Sequence, residues 1–135
     1  MHTTNYRDTL ILPSPDCAAA SATVPAKPDS VAALQHARLA SNPYRLTSDD
    51  VVFGVHADRK SIAEDDRGAA RMEFFSKGQP CLRASPLVKT FGWALHHDGE
   101  GRVSLIDPAS AQFADLKDRA DITKLHGMRS KREGA

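Results

Sequence analysis

The chain has 135 residues, of which 41% are hydrophobic and 26% are charged, a composition typical of a soluble globular protein. Its 18 Lys and Arg residues nearly balance its 17 Asp and Glu residues, and a formal net charge of +1 argues against a protein built mainly to bind nucleic acid or an anionic membrane surface. No apolar run approaches the roughly 20 residues that a membrane-spanning helix needs, so no contact with the membrane interior is predicted.

The first predicted element is a short strand that ends in the apolar run Thr9–Leu12. Pro13 and Pro15 end this strand, because proline cannot donate a hydrogen bond to a sheet. The sequence that follows is rich in Ala, Ser and Pro and has no periodicity. We therefore predict a flexible loop over residues 13–28.

Two helices are predicted next. Asp29 or Ser30 is a good N-cap for the first helix, which ends before Asn42-Pro43. Thr47-Ser48-Asp49-Asp50 resembles a capping box with acidic residues in the first turn, where the helix dipole favours negative charge. The β-branched run after it also suits a strand, so residues 48–58 stay open between the two structures, with the start signal favouring a helix.

The middle of the chain is predicted to hold a helix, a strand and another helix. The third helix covers about residues 63–77 and stops at Gly78. Residues 81–83 are predicted to form a short strand. Ser85 then caps a brief helix over residues 86–91, which has proline at its first position.

The last part of the chain is predicted to form a hairpin and two short helices. Residues 93–106 form the hairpin around Asp98-Gly99-Glu100-Gly101, which is a strong turn signal. Asp107-Pro108 is predicted to start one helix, and Asp121 is predicted to cap the last one. The polar tail over residues 129–135 is predicted to fray.

These elements predict an α+β fold, in which several helices pack on a small antiparallel sheet that includes the 93–106 hairpin. A chain of this length buries enough surface to fold as one domain over residues 1–135, and no cofactor is predicted. Cys17 and Cys81 are too few for a disulfide framework, and residues 1–10 lack the apolar segment of a secretory signal. We therefore predict a cytoplasmic protein.

The segment 76–89 concentrates residue types that suit an anionic ligand. Three cations supply positive charge, a glycine permits close approach to the backbone, and a serine opens a helix whose first N–H groups are unpaired. The predicted ligand-binding residues are Lys77, Gly78, Arg83, Ser85 and Lys89. The alternative is purely structural, with a helix stop, an edge strand and a capped turn whose charges are solvated.

Cys81 and two histidines are the candidate catalytic residues. Nearby cations and the following helix start would favour the nucleophilic thiolate of Cys81, although a cysteine in a short apolar strand is more often a small core residue. His96 and His97 are neighbours on a predicted strand, where adjacent side chains point to opposite faces. Both cannot readily bind one metal ion, and no metal site is predicted.

The end of the chain has a mild basic bias. Residues 117–135 hold six Lys and Arg residues against three Asp and Glu residues. Such a segment suits contact with nucleic acid, but it lacks interleaved aromatic residues and is more often a solvated tail.

Four stretches spread along nearly the whole chain carry a family resemblance: MHTTNY, NPYRLTSDDVVF, FSKGQPCLRASP and MRSK. They resemble a small bacterial family known only as a domain of unknown function. The resemblance implies one self-contained domain and supplies no activity, cofactor or site residue. Residues 92–108 also resemble, more weakly, the hairpin and helix of YjbR-like double-wing domains, which are similar to DNA-binding folds.

The favoured hypothesis is a non-catalytic binding protein that holds an anionic small molecule or a protein partner near residues 76–89. One alternative is a small enzyme that uses Cys81, His96 or His97. Another alternative is a nucleic-acid-binding module, which the basic tail and the double-wing resemblance suggest. The sequence leaves the identity of the ligand and the oligomeric state open.

Overall fold

The computed structural model describes residues 1–130, which form a five-stranded sheet with helices against both faces. The strands are β1 Thr9–Leu12, β2 Leu46–Thr47, β3 Ala94–His97, β4 Arg102–Ile106 and β5 Thr123–His126. The helices are α1 Val31–Ser41, α2 Ser48–Arg59, α3 Arg67–Phe74, α4 Pro86–Lys89 and α5 Ala111–Asp118. Across residues 1–130, no helix has the length and apolar character needed to span a membrane.

The strands follow the order β2-β4-β3-β1-β5 across the sheet. The β3–β4 hairpin is present as predicted, and β1 pairs with β3 in antiparallel register, with Leu10 opposite His96. β5 lies parallel to β1, with Thr9 opposite Thr123. The α+β prediction is therefore confirmed, with a sheet that is antiparallel except at the β1–β5 edge.

Each face of the sheet has its own apolar cluster. Ile11, Leu95 and Val103 face the side that α1, α2 and α4 cover. Leu10 and Ile106 face the opposite side, where α5 packs. Because successive residues of a strand point to opposite faces, the continuous apolar run in β1 serves both layers.

The predicted helix starts at Ser30 and Thr47 are confirmed. The Ser30 side chain accepts a hydrogen bond from the N–H of Ala33 and caps α1. The Thr47 hydroxyl accepts from the N–H of Asp50, whose carboxylate accepts from the N–H of Thr47, and this reciprocal pair begins α2. Residues 48–58 are therefore helical.

The strand predicted at residues 81–83 is wrong, because Leu82–Ala84 forms a 3₁₀ turn. The N–H of Ala84 donates to the carbonyl of Cys81, and the N–H of Ser85 donates to the carbonyl of Leu82. These hydrogen bonds lie within the turn itself, so their backbone groups do not pair with a neighbouring strand. Leu82, the one large apolar residue of the segment, is buried in the cluster beneath α1 and α2.

The final helix predicted from Asp121 is also wrong, because residues 123–126 form β5. Arg119 holds the Asp121 carboxylate through two hydrogen bonds of 2.9 and 2.7 Å, so this carboxylate does not cap a helix. The free edge of β1 supplies backbone partners instead: Thr123 donates to the carbonyl of Asp8, and Gly127 donates to the carbonyl of Leu12. Tertiary pairing outweighs the local helix signal here.

Several helix ends differ from the prediction. The third helix is α3 at residues 67–74, preceded by a 3₁₀ turn at Glu64–Asp66, and it stops three residues before Lys77. The fourth helix ends at Lys89, and α5 begins at Ala111 with Ser110 as its cap, because Asp107-Pro108 forms part of a turn. Residues 131–135 of the tail that was predicted to fray lie outside the described residues.

The loop over residues 13–28 has no regular secondary structure, as predicted. Hydrogen bonds join it to the body of the protein: Ser14 donates to the carbonyl of Val88, and Thr23 donates to the carbonyl of Phe91. The indole N–H of Trp93 donates to the carbonyl of Thr23. Gly92 allows this close approach, since its φ is +78° and a Cβ there would lie 2.9 Å from a loop carbonyl oxygen.

Candidate functional site

A cavity of about 550 Å³ lies between α1, α2 and the segment 79–86. Val31 of α1, Val52 and Val55 of α2, and Phe74 at the end of α3 give it an apolar wall. The His56 ring packs 4.5 Å from the Phe74 ring between centroids and extends this wall. The volume lies within the range of about 300–1,000 Å³ that is usual for small-molecule sites.

The buried end of the cavity carries a short chain of hydrogen bonds. The N–H of Leu87 donates to the Ser85 hydroxyl oxygen at 3.1 Å, and the Ser85 hydroxyl donates to Oε1 of Gln35 at 2.5 Å. Gln35 is 6% exposed and Ser85 is 4% exposed, and both line the cavity. Within residues 1–130, Nε2 of Gln35 has no hydrogen-bond partner.

The exposed mouth of the cavity is basic. Arg59 and Lys60 line it at the end of α2, and no Asp or Glu of the described chain does so. Neither cation forms an ion pair with a residue in the described range. The adjacent Asp58 is held by two other arginines, Arg38 at 2.6 Å and Arg67 at 3.2 Å. Burial opposes ionisation of Asp58, but these arginines outweigh it and lower the pKa of this carboxyl group.

Cys81 lines the same cavity and contacts a tyrosine. Its sulfur lies 3.2 Å from the hydroxyl of Tyr6. Burial, reinforced by Cys81, raises the pKa of Tyr6 to about 12. The phenol therefore keeps its proton at neutral pH and cannot serve as a base for the thiol.

The structure brings two of the predicted site residues, Cys81 and Ser85, to the cavity. Lys77, Gly78 and Lys89 do not line it. Arg83 lies in a separate cleft, where its Nε donates to the carbonyl of His126 at 2.9 Å and its own carbonyl accepts from the N–H of Met128. Arg83 thus contributes to the attachment of β5 and the residues after it.

The cavity also contains residues that sequence analysis did not select: Gln35, His56, Arg59 and Lys60. Gln35 carries no motif that distinguishes it from other helical glutamines. Arg59 and Lys60 match the ordinary preference for cations at the end of a helix, so their sequence pattern alone does not indicate a ligand.

His96 and His97 lie on opposite faces of the sheet, as predicted, and neither lines the cavity. Nδ1 of His96 is 2.8 Å from the hydroxyl of Tyr44. The His97 ring is fully buried and meets the Tyr6 ring edge-on at 5.5 Å between centroids. In the described part of the chain, no three His, Cys, Asp or Glu side chains come together in a way that could hold a metal ion.

Asp49 anchors the segment before β1 to the first turn of α2. Its carboxylate accepts hydrogen bonds from the backbone N–H of Thr4 at 2.6 Å, from the Thr4 hydroxyl at 2.7 Å and from the Thr3 hydroxyl at 2.8 Å. The side-chain oxygen of Asn5 accepts from the N–H of Asp49 at 2.9 Å. Thr4 is 4% exposed and Asp49 is 9% exposed, so these bonds are sheltered from water.

The MHTTNY and FSKGQPCLRASP segments, far apart in sequence, are in contact. The N–H of His2 donates to the carbonyl of Phe75, and the Tyr6 hydroxyl meets Cys81. The first segment therefore packs behind the wall of the cavity that Cys81 forms.

Comparison with known protein families places the chain in one of them. A family described as a family of unknown function (DUF6157) matches residues 1–133, which confirms the resemblance that the four stretches indicated. No curated protein and no solved structure matches the chain.

Proposed function

The chain belongs to this family of unknown function, DUF6157, so its role has to be inferred from its own geometry, and we propose that it binds a small amphipathic anion in the cavity between α1, α2 and residues 79–86. The observation that carries the proposal is the combination of an apolar wall with a mouth that holds Arg59 and Lys60 and no carboxylate from the described residues. Val52 and Phe74 would contact the apolar body of the ligand. The two cations would attract its charged end.

The shape of the site favours a small molecule over a protein partner, because the apolar surface is concave. The unpaired cations favour an anion over a neutral ligand. A charged group at the mouth remains partly hydrated, so its attraction to each cation is modest and falls with added salt. Cys17 and Cys81 are both free thiols, which supports the cytosol as the compartment.

Replacing both mouth cations tests the proposal. The probe is para-acetylbenzoate, a small aromatic anion. In the double variant Arg59→Gln, Lys60→Gln we expect it to bind about five- to tenfold more weakly, since each exposed charge contributes up to about 1 kcal/mol. Titration calorimetry on the full chain measures this change. Lys77→Gln, Lys89→Gln is the matched control, because it removes the same charge from residues that do not line the cavity.

Equal weakening in both double variants would mean that the anion responds to net charge and not to the mouth of the cavity. No binding of benzoate-type anions to the wild-type protein at low salt would also contradict the proposal.

A second candidate function is an enzyme that uses the Cys81 thiol. The specific observation is that its thiol lies on the cavity wall together with the His56 ring. If this hypothesis holds, iodoacetamide should alkylate Cys81 about tenfold faster than Cys17 at neutral pH, because an activated thiol has a larger thiolate fraction. Peptide mass spectrometry follows both cysteines in one sample, with Cys17 as the internal control. Equal rates would leave non-catalytic binding as the function.

A further inference from the structure

We propose that the buried end of the cavity selects ligands that present a hydrogen-bond acceptor to Gln35. The ligand is then a two-ended molecule, with an anionic group at the mouth and a carbonyl-type oxygen at the buried end. The anionic end rests on the proposed function above, whereas the acceptor end rests on a separate set of contacts.

The first step of the argument concerns the Ser85 hydroxyl. Its oxygen accepts a hydrogen bond from the N–H of Leu87, so its own proton is free to point elsewhere. The nearest acceptor is Oε1 of Gln35 at 2.5 Å. The hydroxyl therefore accepts from the backbone and donates to the Gln35 side chain.

The second step concerns the amide of Gln35. If this amide were turned over, the Ser85 oxygen would accept from both Leu87 and Gln35, and the Ser85 proton would lose the acceptor that Oε1 of Gln35 provides. The observed orientation satisfies both groups and leaves Nε2 of Gln35 without a partner in the described part of the chain. This nitrogen is not among the fully buried side-chain atoms of residues 1–130 that lack a partner, so it is open to solvent, and an acceptor on a ligand in the cavity would take the place of water there.

Burial separates the two ends of the site. Gln35 and Ser85 are both almost fully buried, while Arg59 and Lys60, which line the same cavity, are exposed. A ligand that reaches both the buried and the exposed groups also shares the cavity with its apolar wall. A short aromatic or alkyl acid with a distal ketone, amide or second carboxylate has this chemistry.

Four related aromatic probes test the anionic end and the acceptor end of the ligand separately. Para-acetylbenzoate carries an anion and an acceptor, and para-isopropenylbenzoate replaces the acceptor oxygen with a methylene group. Acetophenone and isopropenylbenzene repeat this comparison without the charge. Ligand-observed NMR titration gives the four dissociation constants on the wild-type protein.

We expect each acetyl probe to bind about two- to tenfold more tightly than its isopropenyl partner, which is the usual net worth of one hydrogen bond. The ratio should be the same in the charged and the uncharged pair. It should fall to about one in Gln35→Met, which removes the donor, and it should invert in Gln35→Glu, which presents an acceptor to the ligand. Ser85→Ala should reduce the ratio, because the amide is then free to turn over.

The two proposals fail separately. An isopropenyl probe that binds as tightly as its acetyl partner, in both pairs, overturns the acceptor selection even if the anions bind better than the neutral probes. Anions that bind no better than neutral probes overturn the proposed anion binding, while the acetophenone comparison still decides the acceptor selection. If the Gln35 variants do not fold, the wild-type ratios alone give this decision.

Discussion

Acid is expected to destabilise the protein through His97, and the substitution His97→Leu is expected to remove this loss of stability. His97 is fully buried, and neither ring nitrogen makes a hydrogen bond of good geometry to a described residue. Burial lowers the pKa of His97 from 6.5 to about 4, and the backbone groups of Leu95 and Thr9 offset this only in part. The folded protein therefore keeps the ring neutral over a range in which the unfolded chain protonates it.

The direction of this pH effect on stability follows from the number of protons that the folded and unfolded chains bind. Between pH 6.5 and pH 4 the unfolded chain binds a proton at this position and the folded chain does not, so the free energy of unfolding falls as the pH falls. The loss is about 1.4 kcal/mol for each unit of pKa difference, which amounts to roughly 3 kcal/mol by pH 4. Above pH 6.5 this histidine makes no difference to the pH dependence.

Urea unfolding of wild type and His97→Leu at neutral pH and at pH 4 measures this contribution. The difference in unfolding free energy between the two proteins should change by about 3 kcal/mol between these conditions, in favour of the variant at acid pH. His126→Leu is the matched control, since it removes an exposed histidine and leaves the buried ring in place. Parallel acid profiles for wild type and His97→Leu would show that His97 is not held neutral in the fold.

Asp49→Ala is expected to cost about 3 kcal/mol of stability. The substitution removes the acceptor of three hydrogen bonds and leaves the N–H of Thr4 unpaired in a buried position, while the Thr4 hydroxyl keeps its contact with the Ser48 hydroxyl at 2.8 Å. An unpaired buried donor costs more than the hydrogen bond itself contributes, because the group has also lost its water. Chemical unfolding at neutral pH measures the loss.

Asp65→Ala is the control for this substitution, because Asp65 is exposed and its side chain makes no hydrogen bond or ion pair within residues 1–130. Its effect should stay within about 0.5 kcal/mol. Hydrogen exchange gives a local test, since the Thr4 amide should lose protection in Asp49→Ala. A protected Thr4 amide in that variant would contradict the role assigned to the Asp49 carboxylate.

Local signals in the sequence predicted most of the first half of the fold. Capping is decided within one turn of a helix, so Ser30 and the Thr47–Asp50 pair marked the starts of α1 and α2 correctly. The hairpin around Asp98–Gly101 was equally predictable, because its turn residues lie between the strands that they join.

Long-range pairing explains the errors. The helix signal at Asp121 was reasonable by itself, but the edge of β1 lies more than a hundred residues earlier in the chain and no local pattern contains it. At residues 81–83, the apolar Leu82 suggested a strand. Leu82 lies in a 3₁₀ turn instead, and its side chain is buried in the core beneath α1 and α2. That packing is long-range, so the local sequence does not show it.

The candidate site was predictable only in part, for a similar reason. Ser85 and Cys81 were selected from one segment, whereas Gln35 lies 50 residues from the Ser85 hydroxyl that orients it. Arg59 is not paired with its neighbour Asp58, because Asp58 forms ion pairs with Arg38 and Arg67 from other parts of the fold. A linear sequence shows the charges but not which of them are already paired.

The parallel pair of β1 and β5 has a consequence for synthesis. Ser14, just after β1, bonds to the carbonyl of Met128, just after β5, across 114 residues of chain. At a translation rate of about 5–20 residues per second, one edge of β1 stays open for on the order of ten seconds after it leaves the ribosome. Over that interval an unpaired strand edge is available to other nascent chains. Within residues 1–130, β5 therefore closes the open edge of β1 only after the intervening chain has been made.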